Sequence, residues 1–296
     1  MKQTIDMKSI AAKACLYLVS FVILLTAAYP LYFVLIASFS NPSTLVNGEV
    51  WLIPKEISLD AYKRIGEYEK LWIGYRNTII YTLAGTFLSL FVTIPAAYAM
   101  SRKDLLLKKG IMFFFTVPMF FGGGMIPTYI LMKNLHLLDN PLVLIVPGCF
   151  GVYNMIIART FLQTNIPPAL FEAASIDGCG NIRFFISVVL PLSKAILAVI
   201  GLYVSVGIWN SYFNALLYIS NKNYQPLQIA LRDILVTNSL SMRVGATADA
   251  GGAVQQRIRE ALKYCVIVVS TLPIMCVYPF LQKYFAKGVM IGSLKG

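Results

Sequence analysis

The residues with the most chemical content lie in one stretch, Asn165 to Pro191, which reads NIPPALFEAASIDGCGNIRFFISVVLP. It holds two carboxylates, Glu172 and Asp177, but nothing to make them catalytic. A covalent nucleophile needs an adjacent base, and the chain has a single histidine, His136, in the short turn NLHLLDN, where it reads as a solvated side chain. No phosphate loop (GxxxxGK followed by Ser or Thr), GxSxG or HExxH occurs, so the chain does not hydrolyse ATP through that device. Cys15, Cys149, Cys179, Cys265 and Cys276 form no CxxC pair, so neither a disulfide framework nor a metal site is expected.

What remains is recognition. Asn165 suits a cap region, Pro167 and Pro168 a first helical turn, and Gly178 a stop, which predicts a short helix from Ala169 to Asp177. Leu170, Ala173, Ala174 and Asp177 fall at i, i+3, i+4 and i+7, one small or apolar face. A second helix, about Ile182 to Leu190, leads to Pro191. Such an elbow is a docking surface for another protein. The alternative, a hairpin resting on lipid headgroups, is disfavoured by the two acids.

The elements that position this elbow follow from composition. Of 296 residues, 58% are hydrophobic and 13% charged, and the mean hydropathy is +0.70. A soluble domain carries roughly 25% charged residues. The balance therefore argues against a soluble enzyme, a disordered chain and a nucleic-acid binder, even at a net charge of +12. Basic loops on the cytoplasmic side of a membrane explain the charge instead. Gaps between charged residues outline six apolar helices, at about 14–38, 77–100, 110–132, 141–160, 195–219 and 264–282. Each approaches the ~20 residues that cross a hydrocarbon core. Their continuous apolar character excludes barrel strands, so the expected fold is an all-α polytopic membrane protein.

Lys2, Lys8 and Lys13 precede an apolar run that continues past Pro30 to Phe39, too long for a cleavable signal. The short loop 101–110, SRKDLLLKKG, carries Arg102, Lys103, Lys108 and Lys109 and should be cytoplasmic. Both termini and 161–194 then lie inside, and 40–75, 133–140 and 220–262 outside. No carboxylate falls within the six gaps, which argues against an ion-coupled carrier. Prolines 30, 95, 118, 127, 147, 273 and 279 and the run Gly122-Gly123-Gly124 interrupt the spans. They read either as a moving gate or as close helix packing through small residues. Gly122, Gly123, Gly124 and Pro127 are the candidate hinge.

Glu172-Ala173-Ala174, Asp177-Gly178 and Leu190-Pro191 resemble the EAA–G–LP motif of binding-protein-dependent ABC importer permeases. The spacing also matches: Gly178 stands six residues after Glu172 and Pro191 nineteen after it. SLDAYKRI, AAYAMSR and GIWNSYFNALLYI are similar to the maltose-type carbohydrate-uptake permeases. FFGGGMIPTYILMKNLHLLDNPLVLIVPG and YFAKGVMIGSLKG look like the oligosaccharide or aldouronate branch. Cys179 stands where that pattern usually has Ala, another small residue.

The resemblance implies a type I importer permease with six transmembrane helices, a single domain without enzymatic activity or cofactor of its own. The elbow, 165–191, would be the coupling loop, seated in a cleft of a cytoplasmic ATPase dimer that binds ATP and Mg. A second homologous permease and an extracytoplasmic sugar-binding protein would complete the complex in the cytoplasmic membrane of a bacterium or archaeon. Residues 220–262 and 284–296 match segments that, in the maltose system, touch the binding protein and approach the ATPase. The expected cargo is a carbohydrate, an oligosaccharide, moved by alternating access. Trp209, Asn210, Tyr212 and Asn214 supply rings and amides suited to a sugar path, or act simply as interface anchors. A permease for another solute and a self-contained channel remain the alternatives.

Overall fold

The computed structural model describes residues 7–243, 257, 260–276 and 279. Among them every regular element is helical. In chain order these are α1 (Met7–Phe39), α2 (Pro42–Val46), α3 (Asp60–Gly66), α4 (Glu69–Ser101), α5 (Lys108–Phe120), α6 (Met125–Asn134), α7 (Leu142–Ile145) and α8 (Val152–Asn165). There follow α9 (Pro168–Ile176), α10 (Asn181–Leu192), α11 (Lys194–Trp209), α12 (Phe213–Tyr218), α13 (Leu227–Arg243) and α14 (260–276). The tail 284–296, and the part of the 220–262 loop from 244 to 256, lie outside the described residues.

The chain divides into two compact units. The first combines residues 1–68 with 233–272. Within it, Tyr264 packs edge-on against Phe33 with ring centroids 5.8 Å apart, and Cys265 Sγ donates to the Ser38 carbonyl at 3.2 Å. Tyr62 stacks on Phe39 and its hydroxyl donates to Ser38 Oγ at 2.8 Å. Burial pushes the Tyr62 phenol up from its ordinary pKa.

The second unit, residues 69–232 and 273–296, is built on α4, which packs against α11 and α8. The cause lies in the spacing of its buried residues. Gly74, Thr78, Tyr81, Gly85, Ser89, Thr93, Ala97 and Met100 recur every three or four positions, which places them on one face. Most are small, the composition that brings helices close in a membrane. The approach is tight: a Cβ at Gly74 would stand 2.9 Å from Leu227 Cα, and one at Gly85 would stand 2.5 Å from Ile208 Cδ1. At one end of α4, the buried Asn77 donates to the carbonyls of Asn223 (2.7 Å) and Gln225 (3.0 Å). Thr78 Oγ1 accepts from the Leu227 amide at 2.8 Å.

The helical character of the six expected spans holds, but their count is met only in part among the described residues. Among the described residues two helices are long and apolar enough to cross a membrane, Lys13–Phe39 and Glu69–Ser101. Two more appear only as bent pairs: α5 and α6 meet at 112°, and α10 and α11 at 79°. The run 110–132 is therefore two helices, parted at Gly122–Gly124. The run 141–160 is likewise parted between α7 and α8 around Pro147, Gly148 and Gly151, and 195–219 is parted between α11 and α12. Charge gaps measure apolar length and are blind to such breaks. Proline and glycine leave backbone groups that only covering protein or a water-lined cavity satisfies at membrane depth.

Candidate functional site

The elbow forms where the sequence placed it, with its first arm one residue earlier at each end. Pro168 occupies the first turn of α9, and Asp177 is the C-cap. Gly178 adopts φ +73°, its amide donates to Ser175 O at 3.1 Å, and the Cys179 amide donates to Ala174 O at 2.8 Å. These are the paired 5→2 and 6→1 bonds of a Schellman stop, with Gly178 at the left-handed position that a Cβ disfavours. Cys179 and Ala174, the two positions such a stop brings together, are both half-buried against the same core.

The structure divides the expected face of α9. Ala174 turns inward with Phe171, while Leu170, Glu172, Ala173, Ile176 and Asp177 are exposed, Ile176 to 87%. The exposed side is thus an apolar strip carrying two carboxylates.

Two anchors hold α9 to its own unit. Phe171 meets the fully buried Phe184 edge-on, with centroids 5.2 Å apart at 82°. Over the Phe171 ring lies the Arg102 guanidinium, whose Cζ is 3.4 Å from the ring centroid, a cation–π stack. Arg102 is itself locked by a bidentate pair, Nε and Nη2 each donating to an Asp104 oxygen at 2.9 Å. That hydrogen bond is the main cause of both shifts, holding the Asp104 carboxyl below its ordinary value and raising the guanidinium. Lys108 Nζ caps the end of α4 by donating to the carbonyls of Ser101 (3.3 Å) and Arg102 (2.7 Å), and Gln163 Nε2 donates to Ser101 O at 3.3 Å. Arg102, Gln163, Pro167, Phe171 and Glu172 help line an open cavity of about 390 Å³. Motif reading missed Arg102 and Phe171. The signal available was an Arg just past an apolar helix and an aromatic inside the motif helix.

The second arm, α10, contains a π-helical turn at Phe185–Val189 immediately before Leu190-Pro191. Pro191 has no N–H for the Ser187 carbonyl, and the wider i→i+5 register takes up that disruption. The arm then turns at Ser193, whose amide donates to Val189 O and Leu190 O and whose buried hydroxyl has no partner among the described residues. Phe184 and Val189 sink into a core shared with Ile94, Ala97 and Met100 of α4, Met155 and Ala158 of α8, and Ile200 of α11. Movement of the elbow is therefore tied to the three packed helices.

The other candidates separate. Trp209 is 7% exposed and lines an apolar cavity of about 290 Å³ with Thr82, Leu83, Leu202, Ser205 and Pro273. Asn210 and Asn214 are exposed, and Asn210 Nδ2 returns to its own helix at Val206 O. Tyr212 is half-buried at the N-terminus of α12. Of the four, Trp209 alone lines this cavity. Thr82, Thr86, Ser89 and Thr93, buried hydroxyls on α4 without partners among the described residues, are polar groups that sequence reading passed over. Gly122, Gly123 and Gly124 form the break between α5 and α6, with Gly124 at φ +83° and Pro127 in the first turn that follows. No cluster of metal ligands occurs among the described residues.

An apolar helical body with two helices long enough to cross a membrane and a capped elbow is the architecture of a helical membrane protein. The chain belongs to the family of binding-protein-dependent transport system inner membrane components, which it matches over residues 71–290. It is a multi-pass permease subunit of an ABC importer, working with a substrate-binding protein and with ATP hydrolysis in a separate subunit. It is 39% identical to YtcP of Bacillus subtilis (strain 168), a polygalacturonan/rhamnogalacturonan transport system permease protein, over 274 residues, covering 92% of this chain and 94% of that one. LplC of the same organism is 39% identical over 269 residues, 90% and 89% of the two chains. A crystal structure of a bacterial ABC transporter that imports the acidic polysaccharide alginate superposes with a TM-score of 0.86 at 29% identity, covering 96% of this chain and all of that one.

Proposed function

We propose that this permease imports an oligosaccharide and that α9, bearing Glu172, Ala173, Asp177 and Gly178, is the helix through which a cytoplasmic ATPase dimer drives it. The carrying observation is the one-sided seating of α9: Phe171 and Ala174 bind it to its own subunit, and the opposite strip is left open. A cleft with apolar walls and a basic rim would complement Leu170, Ile176 and the two carboxylates. Leu190 and Pro191 form the corner that passes motion from α9 to α11.

Six crossings follow if the two continuous helices, the α5–α6 and α7–α8 pairs, α11 with α12, and α14 each traverse the bilayer once. The contact between Arg102 and Phe171 brings the basic 101–107 loop against the elbow, which supports the reading that loop, elbow and both termini are cytoplasmic. A second homologous permease shares the pathway and a binding protein delivers cargo from outside. ATP and Mg bind in the ATPase, and its closure alternates the access of the pathway. A carbohydrate cargo is supported by relatives named for pectic polymers and for melibiose, raffinose and stachyose, and by the alginate importer.

Reconstitution tests this reading. Vesicles holding this chain, the second permease and the ATPase, supplied with binding protein and oligogalacturonide, should take up sugar only with ATP. Sugar flux through this chain alone, without ATP, would overturn the assignment in favour of a channel.

A further inference from the structure

The segment following α1 folds back along the helix. The Ser58 amide donates to Phe39 O at 3.0 Å and the Asn41 amide to Lys55 O at 3.1 Å. Further down, the Tyr32 hydroxyl donates to Leu52 O and the Tyr29 hydroxyl donates to Trp51 O at 3.3 Å. From Ser40 back to Tyr29 the helix descends roughly 17 Å at 1.5 Å per residue. Side chains of a helix also lean toward its N-terminus, which carries the tyrosine hydroxyls deeper still. Measured from Lys13, a hydrocarbon core about 30 Å thick extends to about residue 33. Tyr29 and Tyr32 fall inside it, and the tip Trp51-Leu52-Ile53 lies at their level.

The tip has the chemistry this depth requires. Backbone carbonyls in hydrocarbon must be satisfied from within the protein, and those of Trp51 and Leu52 are satisfied by the two tyrosines. The Trp51 indole N–H is also consumed internally, donating to Gly48 O at 2.8 Å. The three side chains turned outward are apolar: Trp51 is 70% exposed, Leu52 65% and Ile53 73%. The charges stand at the neck, where Lys55 pairs with Glu49 at 3.8 Å.

We propose that Trp51-Leu52-Ile53 is a membrane anchor, inserted into the acyl region of the leaflet at the C-terminal end of α1, with the Glu49–Lys55 pair at headgroup level. The proposal rests on α1 crossing the bilayer and is independent of the cargo and of the coupling role of α9. Its occupant is lipid, because the tip is held at hydrocarbon depth beside the exposed apolar face of α1 and presents three large apolar side chains, the one side-chain polar group among them, the Trp51 indole N–H, being already bonded to Gly48 O.

The test compares the wild-type complex with Trp51→Phe, each reconstituted in phosphatidylcholine brominated at the 6,7 or the 11,12 acyl positions. The anchor predicts that part of the tryptophan emission is quenched by bromine, that this part disappears in the variant, and that aqueous iodide quenches it little. Phenylalanine preserves the apolar tip, so folding is not at stake. If the Trp51 component is quenched fully by iodide and not by bromine, the tip faces water and the proposal falls. If it is protected from both quenchers, the tip is covered by protein, and the proposal falls equally.

Discussion

Gly178 offers the sharpest test of the elbow because its surroundings isolate one physical cost. Nothing lies within 4 Å of the position a Cβ would take, so a substitution meets no steric wall. The whole penalty comes from holding φ at +73°. For an ordinary L-residue that penalty is roughly 1–2 kcal/mol, and for a β-branched one about 2–3 kcal/mol. Asn adopts the left-handed region readily. At about 1.4 kcal/mol per tenfold change, Gly178→Ala lowers the equilibrium constant for the turn carrying both Schellman bonds by about 5- to 30-fold, and Gly178→Val by about 30- to 150-fold. If only the capped elbow docks, the apparent affinity for the ATPase falls in the same order and by up to the same factors. The assay is retention of the ATPase on the tagged, membrane-extracted permease pair, run beside ATP-driven uptake. The expected order is wild type, Asn, Ala, then Val, with membrane insertion equal in all four. If Val equals Asn in both assays, the left-handed cap plays no part in coupling and the reasoning fails.

Arg102→Lys keeps the charge but loses the planar stack on Phe171, and should weaken ATPase retention by about 0.5–2 kcal/mol, the range of a cation–π contact. A double-mutant cycle with Phe171→Leu should show the two effects to be non-additive, and additive effects would sever the link. The Asp104 carboxyl sits below its ordinary value of 3.8, so its contribution is full above that pH and is lost as pH falls through the lowered value. Thermal stability should therefore carry a small acid-limb component below about pH 4 that Asp104→Asn removes, small because the side chain is 64% exposed. Asn77→Ala strips the donor from two carbonyls, those of Asn223 and Gln225, and should cost about 1–3 kcal/mol for each that stays buried. The expected result is a lowered melting temperature in detergent, and an unchanged one would mean that water replaces the amide.

Much of the elbow was legible locally. Pro167-Pro168, the apolar and small spacing after them and Gly178 are neighbours in sequence, and the bonds they direct span at most five residues. The Schellman stop therefore formed where residue types placed it, and the motif spacing led to the family. The apolar gaps also located the helical runs, because length and composition are one-dimensional properties. Tertiary structure decided the rest. That Ala174 faces inward while Ala173 faces out depends on Phe184 arriving beneath Phe171. That Arg102 belongs to the elbow depends on the end of α4 reaching a ring far along the chain. Gly122–Gly124 and Ser193 were visible as interruptions or as ordinary residues, but the angles of 112° and 79° are set by the helices on either side. The hydroxyls of α4 read as an unremarkable scatter until their helical face met α11. Short-range hydrogen bonds and propensities are written in adjacent residues. Which distant faces meet is settled only by the summed packing of all of them, in which each contact is worth too little to be read alone.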